Sequence, residues 1–216
     1  MSTAIAIDGP AASGKSTIAK EVAARLGINF VNSGAMYRAL TWKVVQEGID
    51  AEEADFVIAV MNRTVFEFGV DNGVSYILVD GQDPGDELNS EEVNQTVSSV
   101  AKVPEVRTEL VDRQRKLLKA GSLVMEGRDI GSAVFPDTPY KLFITASPEV
   151  RAARRAADGQ VDAILKRDKQ DRERKVSPLV VPDGAIEIDS SDMDVEQTVA
   201  AALAALAEQG LNPEQL

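Results

Sequence analysis

Residues 9–16 read Gly9, Pro10, Ala11, Ala12, Ser13, Gly14, Lys15 and Ser16, with Thr17 following, and satisfy G-x-x-x-x-G-K-[ST] completely. Glycines at these positions let backbone N–H groups curl around an anion, and the start of a helix adds favourable potential. A lysine in this place bridges the β- and γ-phosphates of a nucleotide, and the adjacent hydroxyl of Ser16 ligates Mg²⁺. Phosphoryl chemistry on a nucleoside triphosphate is therefore the first expectation. A second group of candidates is basic: the window 151–175 holds nine Lys or Arg against five acids, while the remainder holds 14 against 30. That window is either a solvated helical face or an arginine clamp for phosphates.

Composition narrows the chemistry further. The chain of 216 residues has neither Cys nor His, which removes thiol nucleophiles, imidazole bases, structural zinc and disulfides. A net charge of −12 argues against a DNA or RNA partner. No run approaches the ~20 apolar residues of a membrane span, and the first residues carry no basic segment of a signal peptide. A cytoplasmic protein is expected.

The motif sits where its mechanism needs it. Residues 3–7 (T-A-I-A-I) form a short apolar run of a buried strand, and a helical pattern follows from about 15 to 26, ended by Gly27. Further strands are expected at 28–31, 123–125, 142–144 and 185–188, with helices over 34–47, 55–61, 104–119 and 195–208. Asp71-Asn72-Gly73 is a hairpin turn between 65–68 and 75–79, and Asn89 with Glu92 suggests a helix cap. Alternating strands and helices at both ends indicate an α/β fold with a parallel sheet. The hairpin and helices of 62–100 read as an insert between core segments 1–61 and 101–216.

The loop alone leaves GTPases, motors and small-molecule kinases open. No N-K-x-D guanine motif occurs, and motors are usually larger. A small chain with its own arginine-rich segment suits a kinase that closes over two substrates and excludes water. A phosphate acceptor is already ionised near neutral pH, so it needs arginines rather than a base. Arg128-Asp129, directly after a buried strand, stands where parallel sheets bind ligands.

Six segments in order, I-D-G-P-A-A-S-G-K-S-T (7–17), N-S-G-A-M-Y-R (32–38), S-S-V-A-K-V-P-E-V-R (98–107), E-G-R-D-I-G (126–131), V-F-P-D (134–137) and R-D-K-Q-D-R-E-R (167–174), resemble the bacterial cytidylate kinases along nearly the whole chain. The resemblance implies a P-loop nucleoside-monophosphate kinase fold. That fold has a five-stranded parallel core sheet flanked by helices, an inserted monophosphate-binding subdomain and a short arginine-rich lid at about 151–175. It implies ATP and CMP or dCMP as substrates and Mg²⁺ as cofactor; a monomer is expected because no long coiled coil or isologous apolar face is evident in the sequence. Arg38, Arg128 and Arg174 are expected at the CMP phosphate. Ser98, Arg107 and Asp129 are expected at the cytosine edge, and Ser33, Arg167 and Asp171 at the ribose. Lys15, Arg128, Arg155 and Arg174 are the expected catalytic cations, with Arg151 beside ATP and the turn 190–194 at the adenine. Glu126 stands where some relatives carry Asp. A kinase of UMP or AMP is the alternative enzyme, and a non-catalytic P-loop binding protein the alternative class.

Overall fold

The computed structural model describes residues 2–157, 171, 173 and 176–216. Seven strands form one sheet in the order β3-β4-β2-β5-β1-β6-β7. They are β1 (Ala4–Asp8), β2 (Asn29–Asn32), β3 (Phe66–Asp71), β4 (Val74–Val79), β5 (Leu123–Gly127), β6 (Lys141–Thr145) and β7 (Ile186–Asp189). The helices are α1 (Lys15–Leu26), α2 (Ser33–Gln46), α3 (Ala54–Arg63), α4 (Glu91–Ala101), α5 (Pro104–Lys116), α6 (Pro148–Ala157) and α7 (Val195–Glu208). No helix among the described residues is long and apolar enough to cross a membrane.

The expected five parallel strands are present as β2-β5-β1-β6-β7, each paired in parallel with its neighbour. The count rises to seven because the 66–79 hairpin attaches to the outer edge of β2. Phe30 N–H donates to Gly73 O at 2.8 Å, and β4 runs parallel to β2 there. The hairpin turn has Asn72 at φ 49° and Gly73 at φ 79°, the twist that a two-residue turn needs to match its strands.

Burial on both faces explains why the central strands are apolar runs rather than alternating ones. Ile5 and Ile7 of β1 and Val124 of β5 pack with α1 and α7, through Ile18, Val22, Val199 and Leu206. Ala4, Ala6, Leu123 and Met125 face the opposite layer, with Leu40 of α2, Val57 of α3, Val100 of α4 and Val106 of α5. Pro104 opens α5 where its missing N–H is of no consequence. The cap of α4 is Ser90, whose hydroxyl accepts from Val93 N–H, rather than the expected Asn89. Asp194 and Gln197 form a reciprocal cap at the start of α7.

This layering brings the ends of β1, β2 and β5 together at one edge. The P-loop, Ser33 and Arg128-Asp129 follow directly from those ends.

Candidate active site

The loop between β1 and α1 is shaped by steric necessity. A side-chain carbon on Gly9 would lie 2.1 Å from the Ile144 carbonyl oxygen, and Gly14 holds φ 88° at the start of α1. Lys15 is buried; its Nζ donates to Pro10 O at 3.2 Å and lies 3.9 Å from a Glu126 carboxylate oxygen. Ser16 Oγ donates to the other Glu126 oxygen at 2.8 Å. An ammonium, a hydroxyl and a carboxylate thus converge beside the N-terminus of a helix, where anions are favoured. A hydroxyl and a carboxylate suit a hard cation that keeps waters and phosphates as its remaining ligands, which is the habit of Mg²⁺. Among the described residues no cluster of three acidic side chains offers an all-protein metal cage.

Two cavities meet at this loop. The first is lined by Lys15, Ser16, Ser33, Tyr37, Arg38, Ser98, Arg107, Arg128, Asp129, Arg155 and Asp171, among others. Residues expected at CMP or in catalysis, drawn from segments far apart in sequence, thus share one space. Ser33 Oγ donates to Glu126 O at 2.7 Å, tying the start of α2 to the end of β5. Arg128 donates from Nε to Asp171 at 2.8 Å and from Nη1 to Gly9 O at 2.8 Å. Arg38 donates to Leu88 O and to Asn94 Oδ1, each at 2.8 Å.

Arg107 and Asp129 form a buried ion pair in the floor of this cavity, with Arg107 only 2% exposed. The guanidinium also donates to Ala101 O at 3.1 Å and lies over the Tyr37 ring, 5.3 Å from its centroid. Arg107 Nε has no hydrogen-bond acceptor among the described residues. A buried donor of that kind is costly unless a ligand meets it.

The second cavity opens on the other side of the loop. Ser13, Gly14, Lys15, Ser16 and Thr17 line it together with Arg154, Arg155, Ser190, Met193, Asp194 and Thr198. The turn expected at the adenine therefore contributes Ser190, Met193 and Asp194. Arg151 does not line either cavity: it is 4% exposed and holds Ala146 O at 3.1 Å and the P-loop carbonyl of Ala11 at 3.2 Å. Arg154, which the sequence reading passed over, occupies the wall instead. It donates to Ser13 O at 3.2 Å and to both Ser190 Oγ and Ser190 O. Arg155 lines both cavities. Arg167 and Arg174, expected at the ribose and the CMP phosphate, lie outside the described residues, as does most of the expected lid.

Asp8 is a further residue that spacing did not single out. It ends β1 just before Gly9, fully buried, and its two carboxyl oxygens accept from the Ile130 and Gly131 N–H groups, each at 2.7 Å. The segment after Asp129 is thereby fastened to the strand that carries the P-loop. Burial pushes the Asp8 carboxyl up to about 7; the two N–H donors work against this, the Asp129 charge adds to it and Lys15 opposes it. The folded protein holds this proton more tightly than an unfolded chain with a value near 3.8. Asp8 accordingly contributes its full stability below that value and loses it as pH rises through about 7. Urea unfolding followed from about pH 4 to about pH 8 should show a steeper loss for the wild type than for Asp8→Asn. Parallel slopes would contradict the assignment. At about pH 4 the Asp8→Asn variant should be the less stable by ~1–3 kcal/mol, because an amide accepts from only one of the two N–H groups, and the gap should close as pH rises through about 7.

The whole arrangement has close relatives. The profile of the cytidylate kinase family matches residues 5–208. The chain belongs to the cytidylate kinase family. A cytidylate kinase of Streptomyces avermitilis is 43% identical over 204 residues, covering 90% of this chain and 88% of that one. One from Bacillus pumilus is likewise 43% identical over 204 residues, covering 89% and 91%. The similarity to cytidylate kinases thus runs through both the loop and most of the chain that follows it. Among solved structures, a sugar kinase from Janibacter aligns with a TM-score of 0.53 at 16% identity over 96% of this chain and 95% of its own. A gluconokinase from Sinorhizobium meliloti aligns at 0.51 and 14%, covering 95% and 92%. These two show the fold, an α/β P-loop architecture, and nothing about substrate.

Proposed function

We propose that the protein transfers the γ-phosphoryl group of ATP to CMP or dCMP, giving ADP and CDP or dCDP. The observation that carries this is the buried Arg107–Asp129 pair, with Ser98 lining the same cavity as Arg38, Arg128 and Lys15. Asp129 has a second carboxylate oxygen to accept from the exocyclic amino group of cytosine, and Arg107 donates toward ring O and N acceptors. Uracil presents a carbonyl where cytosine presents the amino group, which would oppose a carboxylate.

In this proposal the acceptor phosphate lies between Arg38 and Arg128, joined by Arg174. Ser33, Asp171 and Arg167 serve the ribose. ATP lies along the second cavity with its phosphates on the amides of Gly9–Thr17 and its base near Ser190–Asp194. Attack needs no base, since the acceptor oxygen is already ionised; the cations draw two repelling anions together. Lys15 holds the β- and γ-phosphates, Arg155 spans donor and acceptor sides, and Arg154 walls the donor cavity beside Arg151, which braces the loop from behind. Mg²⁺, held by Ser16 with Glu126 beside it, would neutralise charge on the phosphate oxygens. Residues 62–100 are proposed as the acceptor-binding insert and about 151–175 as the lid. A cytoplasmic monomer is the proposed working form, matching the compartment of both substrates.

An ADP-release assay with ATP and Mg²⁺ against CMP, dCMP, UMP, AMP and GMP tests the whole reading. Turnover confined to CMP and dCMP is expected. Turnover with another monophosphate would retain the reaction and remove the cytosine pocket, and silence with all five would favour a binding protein.

A further inference from the structure

Two arginines of the acceptor cavity come from distant elements, Arg38 from α2 and Arg155 from α6, yet they meet at one atom. Asn94 Oδ1, on α4, accepts from Arg38 Nη2 at 2.8 Å and lies 3.4 Å from Arg155 Nη2. The amide cannot be turned the other way, because Asn94 Nδ2 donates to Asn89 O at 2.8 Å. The same Arg38 fork is completed by Leu88 O, so both of its terminal nitrogens are held by neutral oxygens of 88–94. Asn94 itself stands behind the arginines and does not line the cavity, whereas Arg38, Asn89 and Arg155 do.

A neutral amide oxygen aims guanidinium groups without cancelling their charge. A carboxylate in that place would take up the role of the incoming phosphate, since charge-assisted pairs to carboxylate and phosphate use the same donors. We infer that Asn94 is a positioning residue for the acceptor phosphate, holding Arg38 and reaching Arg155 with an uncharged acceptor that adds no negative charge of its own to compete with the anion. This rests on the proposed role of Arg38 and Arg155 at the phosphates.

Asn94→Asp separates aim from charge, since it keeps size and acceptor and adds one negative charge. Calorimetric binding of CMP should weaken by at least about tenfold, and the KM for CMP should rise in step. The KM for ATP should rise by less than that for CMP, since of the two arginines only Arg155 borders the donor cavity, and Tm should be equal or higher because the new carboxylate pairs with the arginines. Asn94→Ala should weaken CMP by less, about two- to fivefold, with Tm unchanged or lower. CMP binding by Asn94→Asp within about twofold of wild type, or equal losses in both variants, would overturn the inference. Arg38→Ala serves as the control on the underlying reading. If it leaves CMP turnover intact, that reading fails and the inference with it; if it disables turnover while Asn94→Asp does not, only the inference fails.

Discussion

Lys15→Ala should fold and still bind nucleotide, yet lose at least about a thousandfold in turnover, equivalent to ~4 kcal/mol of transition-state stabilisation. The expectation follows from where the ammonium sits. It is buried at the mouth of α1, anchored by Pro10 O and poised 3.9 Å from Glu126, so its charge acts in a site with little water to screen it. Removing it leaves Glu126 without that cation and a γ-phosphate without its partner. Glu126 retains the Ser16 hydroxyl as donor at 2.8 Å, so the local structure keeps an anchor and folding should survive. Single-turnover kinetics with saturating ATP and CMP measure the effect directly, and circular dichroism checks the fold. Turnover within about tenfold of wild type would remove Lys15 from the chemistry.

Asp129→Ala should produce two separable losses. The first is stability: Arg107 is buried, its charge is matched by Asp129, and breaking such a pair from one side typically costs ~3–5 kcal/mol. Urea denaturation should register most of that, with CMP binding unable to restore it. The second is selectivity: the ratio of kcat/KM for CMP over UMP should fall, because the acceptor for the cytosine amino group is gone. Asp129→Asn separates the two, since it keeps the shape and one oxygen for Arg107 but presents an amide that can turn its N–H₂ toward a carbonyl. It should shift preference toward UMP with a smaller stability loss. Equal proportional loss for CMP and UMP in both variants would place Asp129 in scaffolding alone.

Local chemistry made much of this site legible. The strand, turn and helix around Lys15 are contiguous in sequence, and steric demands at Gly9 and Gly14 are written in residue type. Asp71-Asn72-Gly73 announced its hairpin in the same way, and the 195–208 helix has the bounds expected of it. What stayed hidden depends on distant partners. The attachment of the hairpin to β2 rests on one register point, Phe30 against Val74, and an edge pairing of that length leaves no periodic trace. Asp8 reads as the last residue of an apolar strand until Ile130 and Gly131 are seen to donate to it from 122 and 123 positions away. On α6, Arg151, Arg154 and Arg155 lie within little more than one helical turn, so a rotation of a single residue decides which guanidinium faces the donor cavity. The helix phase, set by packing of Arg151 against Ala11 O and Ala146 O, turns Arg154 and Arg155 toward that cavity. Asn94 lacked any signal of its own, because an asparagine on a polar helix face is ordinary until Arg38 is placed against it.

The pairing of β1 with β5 also sets a timetable. Gly9 and Arg128 are joined across 119 positions, and both immediate neighbours of β1 in the sheet, β5 and β6, come from the far half of the chain. On the ribosome, at roughly 5–20 residues per second, the strand Ala4–Asp8 therefore waits roughly 6–24 s for its first partner. During that interval its alternating alanines and isoleucines have no sheet to enter, and the nucleotide loop has no floor. The P-loop is thus synthesised well before the strands that flank it and becomes competent only after them, so recovered ATP binding after refolding reports closure of the sheet around β1 rather than formation of its own turn.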